Sequence, residues 1–163
     1  MACPFFMPTE RVEGGAWQHP ARLPLGSGWS GTCTATGHDG QVPPQNTLER
    51  FCNLGYAVGC AWVPQERDRD AVRFAIAAPL SAAQRSKCKD GSPDRILRLR
   101  YVCERDHRPV AHGTLEFDFQ ADGWSVRHED ARIQKMAECF LESYLRKKSG
   151  PRMADMKDEE TAQ

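Results

Sequence analysis

The chain has 163 residues, with 22 Lys plus Arg against 22 Asp plus Glu, 40% apolar residues, 7 Cys, 13 Gly and 11 Pro. That length suits one compact domain or a domain with an appended module, and zero net charge offers nothing to a generic polyanion or an anionic membrane surface. No apolar run approaches the roughly 18 residues of a spanning helix, and the N-terminal Met1-Ala2-Cys3-Pro4-Phe5-Phe6-Met7-Pro8 lacks the basic start of a signal peptide. Thiols in such a chain are expected to be reduced, in a cytoplasmic setting where grouped cysteines bind metal or do redox chemistry.

The average hides a boundary near Pro64. Residues 1–64 carry Arg11, Arg22 and Arg50 against Glu10, Glu13, Asp39 and Glu49, together with nine of the 13 glycines, seven of the 11 prolines and three of the four tryptophans. Gly and Pro break helices and strands, while low charge and several aromatics argue against disorder. The reading for 1–64 is an irregular Gly/Pro/Cys-rich module that needs a structural metal or a larger packing partner to hold it.

Within that module Cys3, Cys33, Cys52 and Cys60 follow the spacing C-x29-C-x18-C-x7-C. Cys33 ends the loop Gly26-Ser27-Gly28-Trp29-Ser30-Gly31-Thr32-Cys33, whose glycines let backbone approach a bound group closely. Asn46-Thr47-Leu48-Glu49 reads as a capping box opening a short helix that carries Cys52 in its last turn, with Gly55 as its left-handed cap. Cys60 follows in Tyr56-Ala57-Val58-Gly59-Cys60. Zinc and iron–sulfur clusters both accept four thiolates. Structural zinc usually shows a C-x2–4-C knuckle. None is present here, so the ligands must come from separate loops, and a larger four-iron cluster suits such loops better. Phe5, Phe6, Trp17, Trp29, Phe51, Tyr56 and Trp62 supply apolar groups to exclude water. His38 in Gly37-His38-Asp39-Gly40 can replace a cysteine as ligand, although an exposed turn explains it, and His19 before Pro20, more simply.

Residues 65–149 read as an antiparallel sheet with a C-terminal helix. Asp70 to Ala77 alternates, with Val72, Phe74 and Ile76 on one face. Arg95 to Cys103 places Leu97, Leu99, Tyr101 and Cys103 inward, and Gly113 to Phe119 answers with Leu115, Phe117 and Phe119. The link Asp106-His107-Arg108-Pro109 has turn chemistry. Arg98 and Arg100 are expected to lie opposite acidic residues of the returning strand, and Trp124-Ser125-Val126 to start another strand. Residues 130–148 show an apolar stripe of Ile133, Met136, Ala137, Phe140, Leu141, Tyr144 and Leu145, stopped by Gly150-Pro151. Residues 150–163 read as a disordered polar tail.

Cys103 and Cys139 read as buried small hydrophobes and Cys88 as a surface thiol. A Cys103–His107 catalytic pair is disfavoured, because a strand thiol and a loop histidine need not meet. The basic residues between Arg85 and Arg108 read as a charge-paired outer sheet face, which argues against nucleic acid. The fold class is therefore α+β, a small antiparallel sheet of three or four strands packed by a C-terminal helix and preceded by the Cys-bearing module. The expected function is that of an iron–sulfur protein, [4Fe-4S] held by Cys3, Cys33, Cys52 and Cys60. It would work in electron transfer, cluster-based sensing or as a subunit of a redox assembly with a protein partner. With all four thiolates used no iron is open to substrate, so the chain is not read as an enzyme. The alternative is a structural-zinc module that mediates contact with protein or nucleic acid.

Overall fold

The computed structural model describes residues 1–13, 17, 23–77 and 95–149. It is a mixed α+β fold of two antiparallel sheets, with two and four strands, and a C-terminal helix packed against them. The loop with Cys88, the segment with His19, the Gly150-Pro151 stop and the tail 150–163 lie outside the described residues. Among the described residues, no helix is long and apolar enough to cross a membrane.

The smaller sheet pairs β1 (Phe6–Arg11) with β2 (Trp29–Cys33), and Phe6 stands opposite Cys33. Gly31 is where the glycine-rich stretch matters, because a Cβ there would lie 2.2 Å from the Met7 carbonyl oxygen. The glycine thus lets two strands close on each other. After β2 the chain makes the single α-turn α1 (Gln45–Thr47), a π-helical turn Leu48–Cys52 and a 3-10 turn Ala57–Gly59. The expected capping box is not formed. Pro44 occupies the N-cap without a side-chain hydrogen bond, Asn46 accepts its neighbour Thr47's N–H at 2.8 Å, and Glu49 accepts from the Gln45 side chain. Pro44 already has the extended backbone of a cap, so Asn46 falls inside the turn. Nor is Gly55 a left-handed cap, since its φ is not among the positive ones; a Cβ on it would meet the Arg50 carbonyl oxygen at 2.2 Å.

The larger sheet is a meander, β3 (Ala71–Ile76), β4 (Ile96–Arg105), β5 (Arg108–Asp118) and β6 (Gly123–Val126), in spatial order β3-β4-β5-β6. Asp106 and His107 join β4 to β5 with φ of 49° and 60°, the double left-handed geometry of a two-residue hairpin. The hairpin therefore starts five residues earlier than the alternation from Gly113 suggests. Pro109 is accommodated because the register slips between Cys103 and Glu104, just where Glu104 pairs with Pro109. Arg98 does face an acid, Glu116, at 2.7 Å, whereas Arg100 faces Thr114. Phe119 is 45% exposed instead of inward, because β5 ends at Asp118 and the alternation ends with it.

Helix α2 (Ala131–Ser149) is capped by Asp130, whose carboxylate accepts the Arg132 N–H at 2.9 Å. Ile133, Met136, Ala137 and Leu141 are buried, and Phe140 lies 5.8 Å from Phe74 across the sheet. The helix packs on both β1 and β3. One continuous core consequently includes Cys3, Phe6, Trp29, Leu48 and Cys52 from the first half and Val72, Leu99, Leu115 and Met136 from the second. The chain start also joins the larger sheet, as Ala2 and Val72 exchange hydrogen bonds of 2.8 and 2.9 Å at the free edge of β3.

Candidate metal centre

Cys3 precedes β1 by two residues and Cys33 ends β2, so the ribbon register brings both to one end of the smaller sheet. Cys52 closes the π-turn, and its carbonyl accepts the Cys3 N–H at 3.1 Å, which ties the first and third segments together. Cys60 follows the 3-10 turn, whose first residue, Ala57, donates to the Asp70 carbonyl at 2.9 Å. Four chain segments thus bring their cysteines into one region of the fold.

Their electrostatics report the convergence. Burial, foremost, pushes the Cys3 thiol up to about 12, and charges on Cys33 and Cys60 add to the rise. Cys52 is driven up by burial and then by Cys3, Cys60 and Cys33 in turn. Cys33 is raised by burial and by Cys60. Each of these three thiols therefore feels at least one other member of the set, and Cys52 feels all three. All six cysteines of the described residues are free thiols. Burying several free thiols together gains no hydrogen bonds among them, and deprotonating any one opposes deprotonating the rest. A bound cation reverses that balance.

Two sulfurs also have backbone donors aimed at them. The Ala35 N–H donates to Cys33 Sγ at 3.4 Å, with Thr34 assisting, and the Phe5 and Phe6 amides act on Cys3 in the same charge-stabilising sense. In both cases the main donor is two residues after the cysteine. These amides come from the turns after Cys3 and Cys33, not from the glycines before Cys33. A further donor, the Trp29 indole N–H, is buried without a partner, and alternation puts Trp29 on the same face of β2 as Cys33.

Single-ion geometry is a separate matter. Among the described residues, no three His, Cys, Asp or Glu side chains stand close enough to hold one metal ion. Four thiolates around one zinc at ~2.3 Å would sit about 3.8 Å apart. The four thiols interact through space without that tight tetrahedron.

Asn53 is the residue that sequence patterning misses. It is 1% exposed and clamps the π-turn to β2: its side chain accepts the Trp29 N–H at 3.0 Å and donates to the Trp29 carbonyl at 2.9 Å and to the Leu48 carbonyl at 3.1 Å. Its position next to Cys52 was the available signal. His38 does not join the thiols as a ligand; its ring stacks on Trp62 with centroids 4.4 Å apart and planes 3° from parallel. Cys103 is buried beside Arg69, while His107 packs on Tyr56 at 4.5 Å, so the two do not form a pair. Cys139 is buried on α2. Comparison with protein-family models, with curated proteins and with solved structures finds no match to this chain.

Proposed function

We propose that the chain is an iron–sulfur protein whose Cys3, Cys33, Cys52 and Cys60 hold one [4Fe-4S] cluster, and that it serves electron transfer, cluster-based sensing or a redox assembly with a protein partner. The observation that carries the reading is that the β1–β2 register, the Cys3–Cys52 backbone hydrogen bond and the packing of the π-turn on the 3-10 turn bring four segments with free cysteines into one region. The amides at Cys3 and Cys33 support it, because N–H donors at ligand sulfurs stabilise the thiolate form and tune a cluster's potential. The lack of a C-x2–4-C knuckle favours a cluster over zinc, since a cluster holds its four thiolates around several irons rather than one ion. Residues 1–64 would then be the metal-binding module and 65–149 its scaffold. When bound, the cluster supplies one-electron redox chemistry; the chain positions the thiolates, aims amides at them and excludes water with Phe5, Phe6 and Trp29.

Anaerobic purification tests this. Brown protein with a broad absorption near about 400 nm and about four iron and four sulfide per chain is the expected result. Colourless protein with one zinc per chain establishes the structural-zinc alternative instead. Cys3→Ser and Cys52→Ser should lose the metal that Cys88→Ser keeps, and equal metal in all three variants refutes the ligand set.

A further inference from the structure

Residues 127–130 join β6 to α2, and one half-buried side chain, His128, holds them in place. Its backbone N–H donates to the Gln134 Oε1 at 2.9 Å, and its imidazole Nδ1 accepts the Asp130 backbone N–H at 2.9 Å. Asp130 in turn caps α2, and its carbonyl accepts the Gln134 backbone N–H at 3.0 Å as the first bond of the helix. The His128 ring stands edge-on to Tyr101, with centroids 4.7 Å apart and planes at 75°. Tyr101 itself lies across Gly113, where a Cβ would meet its ring at 2.7 Å.

A backbone N–H can only donate, so Nδ1 must present a lone pair to Asp130. His128 is therefore neutral in this arrangement, with its proton on Nε2. The charges around it are mixed. Asp130 and Glu129, on its own segment, favour a cation; Arg69, in the loop before β3, opposes one. The Asp130 carboxylate is already shared between Arg132 on α2 at 2.7 Å and Arg69 at 3.5 Å. From β4 comes the Tyr101 phenol, and from α2 the uncharged Gln134. Burial, foremost, and then Arg69 hold the imidazole below its ordinary range against Asp130 and Glu129.

We propose that residues 127–130 are a pH-sensitive latch on the start of α2, closed by neutral His128 and opened when Nδ1 takes a proton from solvent. The protonated ring presents an N–H to the Asp130 N–H, and two donors cannot bond. The ring must turn off Tyr101, and the segment loses the bond that closes it over the larger sheet. The sign follows: a histidine whose folded-state value is lowered stabilises the closed form above its ordinary range, and that stability is lost as pH falls through the lowered value.

The test is a pH titration of the full chain by NMR, following the His128 ring nitrogens and the backbone amides. The expected tautomer near neutral pH is Nε2–H, with a ring midpoint below the 6.5 of an ordinary histidine. Exchange protection of the Asp130 amide should fall by about tenfold with that same midpoint, as one hydrogen bond is lost. His128→Asn keeps a side-chain oxygen that accepts the N–H two residues on but does not titrate, so its Asp130 amide should stay protected throughout. An Nδ1–H tautomer near neutral pH, an Asp130 amide blind to the ring's titration, or an unchanged pH response in His128→Asn overturns the latch. Should that variant fail to fold, the tautomer and the shared midpoint in the wild-type chain decide.

Discussion

Replacing Asn53 with alanine separates the clamp beside Cys52 from simple core packing. The substitution removes three hydrogen bonds, those to the Trp29 N–H, the Trp29 carbonyl and the Leu48 carbonyl. The Leu48 carbonyl keeps a partner, because it also accepts the backbone N–H of residue 53 at 3.0 Å. The two Trp29 groups are left without their partner in a site where the side chain of residue 53 was almost wholly buried. At about 1–3 kcal/mol for each unsatisfied buried group, the loss is about 2–6 kcal/mol. With a urea m-value of about 2 kcal/mol/M, the midpoint should fall by about 1–3 M. Because the clamp also sets where Cys52 meets Cys3, metal loading should fall with it. Leu115→Ala provides the control: it lies in the larger sheet, 1% exposed, and should cost a similar about 2–5 kcal/mol through a cavity while disturbing no thiol. Urea unfolding and metal analysis of both variants check the reasoning. A midpoint shift below about 0.3 M for Asn53→Ala, or metal loss as great in Leu115→Ala, refutes it.

Gly31→Ala should destabilise by about 1–3 kcal/mol and lower metal content, because the new Cβ meets the Met7 carbonyl and Pro8 backbone, which cannot yield as a flexible side chain would; thermal melts and iron counts read both effects. Cys103→Ala and Cys139→Ala should retain full metal content, since neither thiol belongs to the coupled set, and metal loss in either variant contradicts the assignment. The pH dependence has a defined sign. Burial raises the folded-state Cys3 thiol from 9.0 to about 12, so the metal-free fold holds protons that the unfolded chain releases. That stabilisation is complete below pH ~9 and is lost as pH rises toward ~12, while metal affinity rises with pH because loading expels those protons. Melting temperatures of metal-free and loaded protein between pH 8 and pH 10 (roughly the foot of that window) should diverge, with the metal-free form falling faster; parallel curves refute buried neutral thiols.

The scaffold was legible because it repeats. Val72, Phe74, Leu97, Leu99 and Leu115 alternate, and Ile133, Met136, Ala137 and Leu141 recur at helical spacing, so each element announces its own buried face. The smaller sheet carries no such signal. In β2 the alternation runs through Trp29, Gly31 and Cys33, and glycine and cysteine do not register as a hydrophobic strand, although all three are buried. At Leu48–Cys52 the local pattern misleads, because Asn46 and Glu49 match a capping box while Pro44 sets the backbone of the turn. The thiols could be picked out as a group from composition. What brings them together, the β1–β2 register and the Asn53 clamp, is long-range pairing that local sequence does not encode.

The way the thiols are anchored explains why a nearly uncharged, irregular half is joined to a charge-dense sheet. Val72, inside β3, pairs with Ala2 and so fixes the residue before Cys3. Two positions earlier, Asp70 accepts the Ala57 N–H through its carbonyl and so fixes the turn that leads to Cys60. Asp70 is itself immobilised: its N–H donates to the Glu104 carbonyl at 2.7 Å, one carboxylate oxygen accepts the Asp106 N–H at 2.8 Å at the hairpin tip, and the other pairs with Arg67. Its carboxyl is correspondingly held below the usual range by Asp106 and Arg67, against the opposing effect of burial. One edge of the larger sheet therefore positions the first and last thiols of the set, while the ribbon and Asn53 position the middle two. Residues 1–64 contain too few pairing strands to do this alone. The charges concentrated after Pro64 keep the sheet's outer face solvated and its register fixed, as at Arg98 and Glu116, so that the β3 edge can anchor the two segments that carry Cys3 and Cys60.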